Sequence, residues 1–188
     1  MKIIVSILFA SLSFLPSVGL SDTDGKIWEK LKNGGLVVVV RHADVVKENN
    51  PLHRDPSCLK ERKLSKKGKN QAARIGKMFT AKGVSINKVL TSPYCRTTDT
   101  ANTAFGRSQP AEFLALLEVL PQKQAEANTE TLRQKIGSYS GDGNLILVTH
   151  EPNINLISFE SIKMGSFLVL KPTGGQEFDE IGIINLAN

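Results

Sequence analysis

Two unbroken apolar runs dominate the pattern along the chain, Leu36-Val37-Val38-Val39-Val40 and Leu145-Ile146-Leu147-Val148. Runs of this length without a polar interruption predict strands covered on both faces, as in the interior of a parallel sheet. Around them the period changes. Ile27, Trp28 and Leu31 cluster at helical spacing and predict a short amphipathic helix within residues 21–35. Ala72, Ile75, Gly76 and Phe79 form an inward stripe behind Ser65, a fair N-cap, and predict a helix over 64–81 that Gly83 ends. A second short strand over 88–91 runs into Ser92-Pro93, which reads as a helix start with Ser92 as N-cap and Pro93 in the first helical position. Residues 113–120, apolar apart from Glu118, predict a third short strand. A polar helix with Leu132 and Ile136 inward fills 122–139, and Pro152 starts another short helix through Ile157. Residues 166–170 and 178–186 close the chain as an edge hairpin, turned by Pro172 and Gly174-Gly175. Strands alternating with helices predict an α/β fold, a three-layer α/β/α sandwich around a mostly parallel central sheet.

From 44 to 63 the apolar pattern vanishes, and Asn49-Asn50, Pro51 and Pro56 mark a long loop. Loops beyond about 12–15 residues are usually functional or disordered. This one leaves the first buried strand directly after Arg41-His42, so it is expected to rim whatever lies there. His53 within it reads as a solvated histidine. After the loop come Arg62, Lys63, Lys66, Lys67 and Lys69. Cations in a first helical turn oppose the helix dipole. They form either a solvated face or a basic rim that attracts a phosphorylated or anionic surface.

Lys and Arg outnumber Asp and Glu by 24 to 18 in the 188 residues. That modest excess suits an anionic substrate and does not argue for nucleic-acid binding. Lys2, an apolar stretch over 3–15, Pro16 and the small residues Ser17-Val18-Gly19 have the pattern of a secretory signal over residues 1–19, followed by one domain over 20–188. The apolar stretch is shorter than the roughly 20 residues of a membrane span, and nothing later predicts one. The expected location is periplasmic or secreted. Cys58 and Cys95 are the only cysteines. In an oxidising compartment they suit a single disulfide, the alternative being two buried thiols. Two cysteines are too few for structural zinc, and the histidines lack ligand spacing, so no metal is expected.

Ligand crevices of open α/β sheets lie beyond the carboxyl ends of the strands. Three strand ends here carry charge or imidazole: Arg41-His42, Arg96 one turn into the following helix, and His150 with Glu151 after it. Two arginines and two imidazoles sharing one pocket would bind a dianion, best a phosphoryl group. Taken together, Val38-Val39-Val40-Arg41-His42-Ala43, Leu64-Ser65 with Gly68 and Gln71-Ala72, Val89-Leu90-Thr91-Ser92-Pro93-Tyr94-Cys95-Arg96-Thr97 with Asp99-Thr100-Ala101, and Val148-Thr149-His150 resemble the histidine phosphatase superfamily with its phosphoglycerate mutase-like fold. The likeness is nearest to small exported bacterial members.

The resemblance implies that His42 is a nucleophile forming a phosphohistidine, and that Arg41, Arg96 and His150 bind the phosphoryl oxygens. It implies no metal and no cofactor. Ala43 stands where the family often has glycine. For the general acid, phytase-like members point to Glu151, directly after the second histidine, and mutase-like members to Glu118. The implied activity is an exported, metal-independent phosphomonoesterase acting on a phosphorylated small molecule or envelope sugar. A non-catalytic phosphate-binding or envelope-interaction module on the same fold is the alternative. Oligomeric state is not readable.

Overall fold

The computed structural model describes residues 22–48, 52 and 54–186. The signal-like segment 1–19, Asn49-Asn50, Pro51 and His53 lie outside the described residues. In chain order the elements are α1 (Asp22–Lys32), β1 (Val37–Arg41), α2 (Lys66–Ala81), β2 (Ile86–Thr91), α3 (Cys95–Phe105), β3 (Gln109–Pro110), α4 (Gln122–Gly137), β4 (Asn144–Thr149), α5 (Glu151–Asn155), β5 (Phe167–Gly174) and β6 (Glu177–Ile184). The strands form one six-stranded sheet in the order β3-β2-β4-β1-β5-β6. Pairings β1–β4, β2–β4 and β2–β3 are parallel, whereas β1–β5 and β5–β6 are antiparallel.

The apolar runs explain the sandwich. Val38 and Val40 face a core built with Trp28, Leu31, Ile75, Phe79 and Ala101 from α1, α2 and α3. Val37 and Val39 face the opposite core with Leu132, Ile136 and Ile154 from α4 and α5. Side chains alternate across a strand, so only a run apolar at every position can fill both cores. The four valines of β1 are fully buried.

Three local expectations shift. The helix expected at Ser92-Pro93 begins at Cys95, with Tyr94 as N-cap and no side-chain cap. Ser92 Oγ instead accepts from Tyr94 N at 3.4 Å, ahead of the helix, and lies 2.8 Å from His150 Nε2. The buried Glu61 carboxylate takes over, accepting from the free Cys95 N–H at 2.8 Å. The third strand is the short β3, ahead of residues 113–120, which instead form two single-turn 3₁₀ helices, Glu112–Leu114 and Leu117–Val119. Their carbonyls are held from outside, Leu114 O by Thr149 Oγ1 at 2.9 Å and Ala115 O by Asn153 Nδ2 at 2.8 Å. Pro172 and Gly174 lie within β5, which leaves the hairpin turn to Gly175 and Gln176.

Candidate active site

Beyond the carboxyl ends of β1, β2 and β4 lies a cavity of about 330 Å³. Arg41, His42, Arg96, Glu118, His150 and Glu151 all line it, together with Asp44, Lys47, Leu52 and Arg62 from the loop after β1. The catalytic and phosphate-binding candidates named from the sequence are therefore at one place. Parallel pairing is the cause, since Arg41 stands opposite Thr149 and the two histidines follow on neighbouring strand ends. Their ring centroids are 5.5 Å apart.

His42 is buried, and its Nδ1 lies 2.9 Å from its own neighbour's carbonyl, Ala43 O. A carbonyl can only accept, so Nδ1 carries the proton and Nε2 keeps a free lone pair. Main-chain contacts set this ring: Ala43 N donates to Thr100 Oγ1 at 3.0 Å, and His42 N to Thr149 O at 3.0 Å. Burial pushes the imidazole down to about 4, helped by the Arg96 and Arg41 charges and opposed by the Ala43 carbonyl and Asp44. Gly68 at the start of α2 has no room for a Cβ against the Asp44 main chain, so the helix closes directly on the segment leaving His42.

His150 is held differently. Arg96 Nη2 lies 3.1 Å from its Nδ1, and Ser92 Oγ 2.8 Å from its Nε2. A guanidinium donates only, so Nδ1 accepts and Nε2–H donates to the serine. Burial, then Arg96, His42 and Arg41, hold this ring well below the ordinary histidine value. Arg96 also stacks on Tyr94, its Cζ 4.5 Å from the ring centre, and the buried Glu61 carboxylate partly offsets the effect of burial on it.

Arg41 donates Nη1 to Ile162 O at 2.7 Å and Nη2 to Glu151 Oε2 at 2.8 Å. Its Nε and the Nη1 of Arg96 are buried without a protein acceptor. Orphaned guanidinium donors beside a neutral imidazole make a site for a tetrahedral oxyanion. Among the described residues no cluster of His, Cys, Asp and Glu suits a metal ion, and no helix is long and apolar enough to cross a membrane.

Cys58 and Cys95 form a disulfide, Cα atoms 5.8 Å apart, which ties the rim loop to the residue before Arg96. Glu61 strengthens the same tie, accepting from Asp55 N at 2.9 Å as well as from Cys95 N. Sequence reasoning misses Glu61 and the role of Ser92. A lone acid within a run of cations is the available signal for the first, while the pattern around Ser92 points to a cap.

A mostly parallel sheet covered on both faces, with a cavity at the carboxyl ends of its strands, defines an α/β sandwich. Residues 37–120 match the model of the histidine phosphatase superfamily (branch 1), so the resemblance carried by the motifs holds. That match spans Arg41, His42, Arg96 and Glu118 and stops before His150 and Glu151, which the fold supplies. No curated protein matches the chain. Among solved structures, the protein histidine phosphatase SixA complexed with tungstate is 14% identical, TM-score 0.59, covering 79% of this chain and 96% of its own. The putative phosphohistidine phosphatase SixA from Agrobacterium tumefaciens is 18% identical, TM-score 0.57, covering 81% and 99%. TTHB049 from Thermus thermophilus is 14% identical, TM-score 0.56, covering 80% and 99%. At these identities the likeness establishes the phosphoglycerate mutase-like fold.

Proposed function

We propose that the chain is an exported, metal-independent phosphomonoesterase that works through a phosphohistidine on His42. Its mature part, residues 20–188, would be a single histidine phosphatase-like domain behind a signal peptide. The observation that carries the reading is the bare Nε2 of a buried, neutral His42 in one cavity with two guanidinium groups that have unpartnered buried N–H donors. The match of 37–120 to the histidine phosphatase model and the tungstate held by the SixA neighbour support it. The N-terminal pattern and the Cys58–Cys95 bridge support export.

Phosphoryl transfer asks for in-line positioning and dispersed positive charge more than for covalent help. In the reading, His42 Nε2 attacks phosphorus while Arg41 and Arg96 hold the equatorial oxygens. His150 joins them by exchanging Ser92 for a phosphoryl oxygen at Nε2–H. Glu151 protonates the departing oxygen and then takes the proton of the water that hydrolyses the phosphohistidine; Glu118, which also lines the cavity, is the alternative acid. Substrate is a phosphorylated small molecule or an envelope sugar phosphate.

The test is turnover of an aryl phosphate in the presence of a strong chelator, with acid-labile phosphate trapped by rapid quench. Turnover with a trapped phosphohistidine is expected. Binding of phosphate without turnover would replace this reading with a non-catalytic phosphate-binding module, and activity that needs an added divalent ion would remove the metal-independent mechanism.

A further inference from the structure

Arg41, placed above as a phosphate ligand, is already occupied. A guanidinium offers a planar fork on the edge formed by Nε and Nη2, the geometry that meets an oxyanion with two parallel bonds. In Arg41 the Nη1 side is spent on Ile162 O, Nη2 is taken by Glu151, and Nε has no acceptor. Glu151 thus uses half of the fork that an anion would use in full. We infer that an oxyanion entering the cavity displaces the Glu151 carboxylate from Arg41, and that the displaced carboxylate takes up a proton from solvent, so that substrate binding itself loads the general acid. The inference rests on the proposed phosphatase reading and deepens it.

The chemistry balances. Before binding, the Glu151 carboxylate accepts from Arg41 Nη2 in the ion pair. A phosphoryl dianion on Nε and Nη2 removes the cation from the carboxylate and sets two negative charges beside it, which favours the protonated form. Glu151 is partly exposed, so water can deliver the proton. As the His42 Nε2–P bond forms and the P–O bond breaks, this proton passes to the leaving oxygen. The carboxylate so formed takes the proton of the water of the second step, and when phosphate leaves Glu151 releases that proton to solvent and returns to Arg41.

The other charged or titratable groups lining the cavity are His42 and Asp44 after β1, Lys47 and Arg62 on the rim, Arg96 on α3, Glu118 on the 3₁₀ turn, and His150 after β4. Lysine and arginine stay charged near neutral pH and take up nothing. Asp44 is engaged by Ser65 Oγ. The two histidines, Asp44 and Glu118 are the competing proton acceptors, and variants separate them from Glu151.

Tungstate, a dianion from about pH 6.5 to 8.5, is titrated into the purified protein across that range by calorimetry. Uptake of one proton makes affinity fall about tenfold per pH unit. The wild type should show this slope, whereas Glu151→Gln should bind more tightly than wild type and with a flat pH profile. Glu118→Gln should keep the slope. A flat wild-type profile overturns the inference without any variant. A slope that survives in Glu151→Gln, or vanishes in Glu118→Gln, overturns it in favour of a histidine or of another carboxylate. Absence of tungstate binding removes the anion site and the inference together, whereas binding and aryl phosphate turnover without the slope remove the inference alone.

Discussion

The two histidines of the cavity follow neighbouring parallel strands in register, yet the protein holds them in opposite ways. His42 has one nitrogen tied to its own main chain and the other bare. His150 has both nitrogens committed, one to Arg96 and one to Ser92. Burial holds both below the ordinary histidine value. Low proton affinity therefore does not distinguish an attacking imidazole from a binding one; the hydrogen-bond partners do. A ring anchored through a local carbonyl is oriented without spending its lone pair. A ring bridging two distant side chains is a brace.

The largest effect should come from breaking the free ring. His42→Ala is expected to lose roughly 10⁴-fold or more in turnover and to trap no acid-labile phosphate, with circular dichroism unchanged. Near-normal rates in this variant would move the nucleophile elsewhere, His150 first. The next largest contrast concerns the carboxylates. General acid help contributes about 10²–10⁴-fold and matters only for poor leaving groups. Glu151→Gln should slow alkyl phosphates far more than activated aryl phosphates, and Glu118→Gln should be nearly silent; the reverse pair of phenotypes would assign the acid to Glu118.

The braced ring should matter less than the free one. His150→Asn is expected to cost about 10²–10³-fold, in the range for loss of one charge-stabilising donor, and to trap phosphate on His42 still. Loss of trapping would erase the distinction between the two rings. The disulfide braces Arg96 from the other side. Cys58→Ser should lower stability by about 4 kcal/mol on the chain-entropy model, read from urea midpoints with and without reductant, and should raise KM for an aryl phosphate more than it lowers kcat. Equal midpoints in the two states would mean that the rim is held by Glu61 and packing instead.

The smallest effect is one of stability. The unfolded chain protonates a histidine near 6.5, while folded His42 does so only near 4. Between these values the unfolded state binds more protons, so stability falls as pH drops through that window, by roughly 3 kcal/mol from His42 alone. His42→Gln should flatten the decline in urea midpoint from pH 7 to pH 4.5. An unchanged decline would show that His42 is not the buried neutral ring described.

The parts legible from sequence are those set by local pattern. Ile27, Trp28 and Leu31 are buried on α1, and Ser65 caps α2 through Gly68 N, as their spacing predicts. Residues 113–120 were not legible, because a short apolar run reads alike as strand or 3₁₀ turn when its carbonyls are satisfied from other segments. The antiparallel pairing of β5 beside β1 was equally silent, since both neighbours of a buried strand ask for the same apolar run.

By itself the sequence determined that two strands would be buried on both faces and that each would end in a histidine beside a charge. It also determined the residues able to meet an oxyanion, because side-chain chemistry and strand ends are properties of short segments. Only the tertiary structure decided that both nitrogens of His150 are committed, that Glu61 accepts from the first N–H of α3, and that Glu151 rests on Arg41. Those outcomes hang on partners far along the chain, 34 residues from Glu61 to Cys95, 54 from Arg96 to His150 and 58 from Ser92 to His150. A hydrogen bond acts over about 3 Å, so such choices exist only once the sheet has brought its strand ends together.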